Sequence, residues 1–204
     1  MKKENISCKV VLVGNAGVGK TSIINRYVND KFYVNSESTI TSSYSCKKIE
    51  YPNYKKTLSL DIWDTAGQEV YRSLAKNFYV NASIGILVYD ITNLDSFQDL
   101  KNYWYNELKN YGEKNMVFAV VGNKSDLYVR QQVNDEQVKQ FAKTINAFCT
   151  SVSCQESLGI NELFEKSGIK YLEQNQIIKK AKTFFIDKNS KDEILEAEKK
   201  GCCK

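Results

Sequence analysis

The sequence predicts an α/β domain: a mostly parallel central sheet with one antiparallel edge strand and helices on both faces. Three observations predict it. Short apolar runs at 8–14, 84–89, 116–121 and 148–153 alternate with segments whose apolar residues recur at helical spacing. Gly14-Asn15-Ala16-Gly17-Val18-Gly19-Lys20-Thr21 matches G-x-x-x-x-G-K-[ST] between the first run and the first helical segment, the strand–loop–helix context of a phosphate-binding loop. Leu58, Leu60 and Ile62 alternate with Thr57, Ser59 and Asp61, a half-buried strand that a Pro52-Asn53 turn pairs back onto 43–51.

Taken in order, residues 8–14 are expected as the first strand and 20–29 as the first helix, with Ile23, Ile24, Tyr27 and Val28 as its apolar stripe. Gly14 and Gly19 let the intervening backbone turn with no Cβ in the way. The N–H groups of the loop then cradle phosphate oxygens at the positive end of the helix. Lys20 is expected between the outer two phosphates and the Thr21 hydroxyl on Mg²⁺, with Asn15, Ala16, Gly17, Val18 and Ser22 completing the cradle. The loop alone selects a nucleoside triphosphate, not its base.

Residues 30–42 have no period, and a loop that long in a compact domain points to function. The hairpin of 43–51 and 56–63 follows, and runs at once into Trp63-Asp64-Thr65-Ala66-Gly67-Gln68-Glu69. Ile84 to Tyr89 is continuously apolar and reads as a central strand. Phe97, Leu100, Trp104 and Leu108 form one face of a helix ending near Gly112. Met116 to Val121 is a second central strand, stopping at Gly122-Asn123-Lys124-Ser125-Asp126. Asn134 and Gln137 make a capping-box-like pair before Val138, Phe141, Ala142 and Ile145. Phe148 to Ser153 is a short last strand, and Ile160, Leu163, Phe164 and Tyr171 mark the last core helix.

Composition narrows the chemistry. The 204 residues suffice for one domain with a full core and one tail. A hydrophobic content of 42% and a charged content of 26% are those of a globular chain. The net charge of +5 permits attraction to an acidic membrane surface and does not call for a nucleic-acid partner. There is no histidine, which removes His-based acid–base catalysis, Ser-His-Asp and Cys-His nucleophiles and His-ligated zinc. Cys8, Cys46, Cys149, Cys154, Cys202 and Cys203 form no C-x-x-C pair and suit a reduced, cytosolic chain. No long apolar core follows Met1-Lys2-Lys3-Glu4-Asn5, so no signal peptide is expected, and Lys2 excludes N-myristoylation. The run Ile84 to Tyr89 is too short to span a bilayer.

Asn123-Lys124-Ser125-Asp126 chooses the base. A carboxylate at Asp126 can accept from both the N1–H and the exocyclic amine of guanine, a pair of donors that adenine lacks. Lys124 would lay its stem along the base plane, and Asn123 would tie neighbouring loops together.

On these motifs residues 8–173 resemble a Ras-superfamily small GTPase, and specifically a Rab, with a G domain of the P-loop NTPase type. The Rab-like residues are Trp63 to Glu69, Leu87-Val88-Tyr89-Asp90-Ile91-Thr92, Gly122 to Leu127 and the terminal Cys202-Cys203. The resemblance implies an extension over 1–7, a G domain over 8–173 and a hypervariable tail over 174–204. It implies a GTP/GDP switch with Mg²⁺ that hydrolyses GTP and regulates vesicle traffic, recruiting effectors in the GTP state. Its implied partners are an exchange factor, a GTPase-activating protein, a GDP-dissociation inhibitor or escort protein, and the cytosolic face of an endomembrane.

Roles carry over by position. Thr39 resembles the first-switch threonine that reaches Mg²⁺ and the γ-phosphate, and Phe32 the aromatic edge-on to guanine. Asp64 resembles the carboxylate that holds Mg²⁺ through water, Gly67 an amide on the γ-phosphate, and Gln68 the residue that orients the attacking water. Ser153-Cys154 stands where the family has Ser-Ala, whose amide contacts the guanine carbonyl. Tyr44, Trp63 and Phe78 fall on the aromatic triad that Rabs present to effectors, although Trp63 alone would be read as core. Cys202 and Cys203 are the expected geranylgeranylation sites. Departures from the family pattern are Thr41 for Gly, Val70 for Arg, Val80-Asn81 for Arg-Gly, Gln155 for Lys, and the swapped ends of the aromatic triad, Tyr44 for Phe and Phe78 for Tyr. They cluster on the switch surfaces. Glu37-Ser38-Thr39-Ile40 and Ser73-Leu74-Ala75 look like endosomal Rabs.

From Asn175 the composition turns polar, with eight Lys against five Asp or Glu. Ile177, Ile178, Ala181, Phe184 and Phe185 keep a helical stripe, either the last helix running on or an apolar patch for a carrier. Two rival readings stand beside the switch. A GTP-dependent module with little or no hydrolysis is opposed by Gln68 and Thr39. A P-loop ATPase or kinase is opposed by the guanine motif.

Overall fold

The computed structural model describes residues 4–34, 43–64 and 77–176. Thr39, Thr41, Gly67, Gln68, Val70, Cys202, Cys203 and the stripe from Ile177 to Phe185 lie outside the described residues.

Six strands form one sheet: β1 Glu4–Val13, β2 Ser43–Tyr51, β3 Lys56–Asp64, β4 Ile84–Asp90, β5 Val117–Asn123 and β6 Phe148–Ser151. Their order is β2-β3-β1-β4-β5-β6. Among these described strands only β2 is antiparallel, paired to β3, and the other pairs are parallel. The first strand begins at Glu4 rather than at residue 8, so residues 4–7, expected as an extension, lie in the sheet. Glu4 to Leu12 run beside Lys56 to Asp64 along the full length of β3. The polar letters Glu4, Asn5 and Ser7 hid that pairing, because they sit on the exposed end of the strand. The last strand ends at Ser151, short of the expected Ser153.

The side-chain period of two divides the core. Val10 and Leu12 of β1, Leu58, Leu60 and Ile62 of β3, and Ile86 and Val88 of β4 face one cluster. There they meet Ile23, Ile24 and Tyr27 of α1 (Lys20–Asn29) and Ile160, Leu163 and Phe164 of the last helix, residues 160–176. Val11, Val13, Leu87, Tyr89 and Val120 face the other. Both faces of the sheet are covered at Val10–Val13 of β1 and along β4, which is why those stretches read as unbroken apolar runs. In the last helix Leu172 is fully buried, while Tyr171, expected in the core, is only half-buried.

The second face is covered by α2 and α3. The helix α2 runs through Leu94–Asp99, a π-turn at Leu100–Trp104, and Tyr105–Tyr111. Asn93 caps it by accepting from the Ser96 N–H at 3.1 Å, and Gly112 ends it. Phe97, Leu100, Trp104 and Leu108 are all buried, as their spacing predicts. The π-turn was not expected, since the apolar stripe stays buried through it. The helix α3 (Asp135–Thr144) starts at Asn134, whose side chain accepts from the Glu136 and Gln137 N–H groups. No helix among the described residues is long and apolar enough to cross a membrane.

Candidate functional site

The polar residues singled out by their motifs converge at the carboxyl ends of the strands, where ligands bind open α/β sheets. The loop 14–19 follows β1, Asp64 ends β3, Asp90 ends β4, Asn123 ends β5 and Ser153-Cys154 follow β6. Gly14 has φ +146°, and a Cβ there would stand 2.1 Å from the Val88 carbonyl oxygen. Gly19 has φ +96°, and its Cβ would stand 2.2 Å from Asn123 Nδ2. The two glycines of the motif are therefore required both by backbone conformation and by close packing. The helix α1 starts with no side-chain cap and no acidic residue in its first turn, so its N-terminal N–H groups face the loop.

Lys20 is buried, and its Nζ donates to the carbonyls of Gly14 and Asn15, each at 2.9 Å. Burial pulls its pKa down to about 8, against the raising effect of Asp64. A phosphate chain beside it would restore the full ammonium charge. Thr21 Oγ1 donates to Asp64 Oδ2 at 2.7 Å. Burial raises the Asp64 carboxyl, and the Thr21 hydrogen bond and Lys20 oppose that rise. Its other oxygen, Oδ1, is buried with no hydrogen-bond partner among the described residues. A hydroxyl and an unpartnered carboxylate oxygen are the hard donors that suit Mg²⁺, which takes few protein ligands and keeps water and phosphate.

The base side is built from β5 and β6. Asn123 is buried; its Nδ2 donates to the Val18 carbonyl at 2.8 Å, and its Oδ1 accepts from Cys154 Sγ at 3.5 Å. It thus joins the phosphate loop to the loop after β6. Burial pushes the Cys154 thiol up to about 11, so it stays protonated and can donate. Lys124 has φ +65° and its Nζ pairs with Asp90 Oδ2 at 2.5 Å. Asp126 Oδ1 accepts from Ser153 Oγ at 2.5 Å, and that hydroxyl accepts in turn from the Glu156 N–H at 3.1 Å. Phe32 is half-buried against the first core cluster.

A protein-family model described as Ras family matches residues 9–173. The chain belongs to the Ras family of small GTPases. It is 42% identical to Ras-related protein Rab-22A of Homo sapiens over 156 residues, 76% of this chain and 79% of that protein. It is 41% identical to Ras-related protein Rab-31 of Homo sapiens over 157 residues, 77% of this chain and 79% of that one. It is 34% identical to Ras-related protein RABA1g of Arabidopsis thaliana over 206 aligned positions, 96% and 93% of the two chains. These relatives set it among the Rabs, small GTPases that bind guanine nucleotide.

Two of the departures from the Rab pattern have structural explanations. Asn81 replaces a glycine and holds φ +59°, the left-handed region that Asn tolerates better than other side-chain-bearing residues. Gln155 is exposed, and the loop it sits in is held instead by Arg26 of α1, whose Nε donates to the Cys154 carbonyl at 2.9 Å. Sequence reasoning missed Arg26, which carries no local signal. It also gave Asp90 no role, although a carboxylate ending a strand buried at every position was a signal that could have been used.

Tyr44, Trp63 and Phe78 lie in a row of mutually tilted rings, with centroids 5.3 Å and 5.6 Å apart. Trp63 is half-buried at the edge of the second core cluster rather than inside it. Tyr44 is 54% exposed and its hydroxyl donates to Asp61 Oδ1 at 2.7 Å.

Asn123→Ala is expected to cost about 1–3 kcal/mol of stability, because it leaves the buried Val18 carbonyl unpaired. Nucleotide affinity should fall with it, as the phosphate loop loses its tie to β5. Urea unfolding and nucleotide titration measure the two effects, and a variant unchanged in both contradicts the assignment.

Proposed function

We propose that this Rab binds GTP with Mg²⁺ at this site, hydrolyses it slowly, and in the GTP form recruits effectors that regulate vesicle-mediated membrane traffic. The observation that carries the proposal is the convergence of Lys20, the Thr21–Asp64 pair and the Asn123–Asp126 loop at one edge of the sheet. Thr39 and Gly67 complete the γ-phosphate shell in this reading, and Gln68 orients water. Slow turnover follows from the absence of a site arginine in the motifs; an activating partner supplies it, with gains of ~10³–10⁵. The row Tyr44, Trp63 and Phe78 supports an effector surface between the two switch segments. The Rab names of the relatives support the role in traffic. The domain reading is a G domain over 8–173 with a tail over 174–204.

Single-turnover hydrolysis of GTP in Mg²⁺, with ATP as competitor, tests the activity. Release of phosphate from GTP and no displacement by equimolar ATP are expected. Binding of GTP with no hydrolysis, even with an activating protein, would leave a binding module.

The same reading makes Cys202 and Cys203 a double prenyl anchor on the cytosolic face of an endomembrane, extractable by a GDP-dissociation inhibitor. Two chains hold where one binds only marginally, and the weakly basic tail adds little. Cys202→Ser with Cys203→Ser should leave GTP binding intact and shift the protein wholly to the cytosolic fraction. Membrane-bound protein with an unmodified tail by mass spectrometry would refute the anchor.

A further inference from the structure

We infer that Asn15 is a positioning residue of the phosphate loop, clamped by Asp99 and Trp104 across the π-turn of α2, and that this clamp sets how long a nucleotide is retained. The inference rests on the nucleotide-site reading above. Asn15 Nδ2 donates to Asp99 Oδ2 at 2.6 Å, and Asn15 Oδ1 accepts from Trp104 Nε1 at 2.7 Å. Both ends of the carboxamide are used. A flipped amide would set N–H against N–H and oxygen against carboxylate, so one orientation is selected.

The π-turn makes the double grip geometrically open. Asp99 and Trp104 are five residues apart, and in an α-helix such residues diverge by about 140° around the axis. Here the Tyr105 N–H reaches back to the Leu100 carbonyl, five residues rather than four. The wider turn brings the two side chains to the same partner, and such turns recur at functional sites. Trp104 is 1% exposed, its ring fixed in the second core cluster, so its donor is stationary.

The grip reaches the phosphate site through the backbone. Asn15 lies between Gly14 at φ +146° and Gly17 at φ +77°, with an exposed Ala16 after it. Those neighbours offer no polar side chain to anchor the loop. The Asn15 carbonyl is also one of the two that hold Lys20 Nζ. Fixing the side chain therefore fixes the carbonyl that places the ammonium.

The test is release of a fluorescent GDP analogue from the full chain in Mg²⁺, chased with excess GDP. Trp104→Phe keeps an aromatic ring and removes one donor; release should quicken roughly two- to tenfold, the range of one hydrogen bond. Asn15→Asp sets a carboxylate against Asp99, and release should quicken about tenfold or more. Adding Asp99→Asn to Asn15→Asp should return the rate to within about threefold of wild type, because the new carboxylate accepts from both the indole and the new amide. A merely structural role gives no such rescue, since two core-edge substitutions would only add. Wild-type protein that retains no GDP would sink the nucleotide reading itself. Retention by wild type, with both single substitutions at the wild-type rate or the double substitution worse than Asn15→Asp, overturns the clamp.

Discussion

Asp126→Asn is expected to lower GTP affinity by roughly 10²- to 10⁴-fold, the loss of two charge-assisted hydrogen bonds. The carboxylate is already oriented: Oδ1 takes the Ser153 hydroxyl at 2.5 Å, and Ser153 is itself fully buried. The substituted amide can keep that bond through its oxygen. Its nitrogen then faces the exocyclic amine of guanine, donor against donor. Xanthine carries an oxygen at that position and accepts from the new amide, so xanthine nucleotides should gain affinity as GTP loses it. Paired titrations with GTP and xanthosine triphosphate read both changes, and a melting curve checks that the fold is kept. Equal GTP affinity in wild type and variant would remove Asp126 from base recognition.

Gln68→Leu should leave GTP binding within a few-fold of wild type and remove most of the ~10³–10⁵-fold acceleration that an activating partner provides. Leucine keeps the bulk of the side chain and lacks the amide that, in the proposed function, holds water in line with the γ-phosphate. Gln68 follows by four residues the buried Asp64 that ends β3. An interaction made only in the transition state lowers turnover without raising the binding constant. Single-turnover rates with and without activating protein separate the two quantities. A variant that hydrolyses as fast as wild type shows that another residue positions the water.

The order of elements was legible from residue periodicity because both faces of the sheet are covered. Ile84 to Tyr89 reads as a continuous apolar run because the strand it forms is buried at every position. Leu58, Leu60 and Ile62 alternate because β3 buries one face more deeply than the other. The phosphate loop and the guanine motif were legible for a different reason. Each is a local run whose backbone turn and side chains must be contiguous to do their work, so spacing alone carries the signal. Trp63 was not settled that way. Its register opposite Tyr44 on the antiparallel edge, and its contact with Phe78, place it in a surface row.

By itself, then, the sequence determined the α/β class, the phosphate loop, the preference for guanine and the family, all written in short contiguous segments. The tertiary structure alone decided what joins those segments. Arg26 holds the Cys154 carbonyl across 128 positions of chain, Asn123 holds Val18 across 105, and Asn15 holds Asp99 across 84. Asp90 meets Lys124 because β4 and β5 are adjacent and in register at their ends. None of these pairs has a period or spacing to read. They exist because a sheet ordered β2-β3-β1-β4-β5-β6 brings its carboxyl ends, remote in sequence, to one edge. The π-turn was invisible for a related reason: helical periodicity reports which residues face the core, and those four stayed buried through the inserted residue.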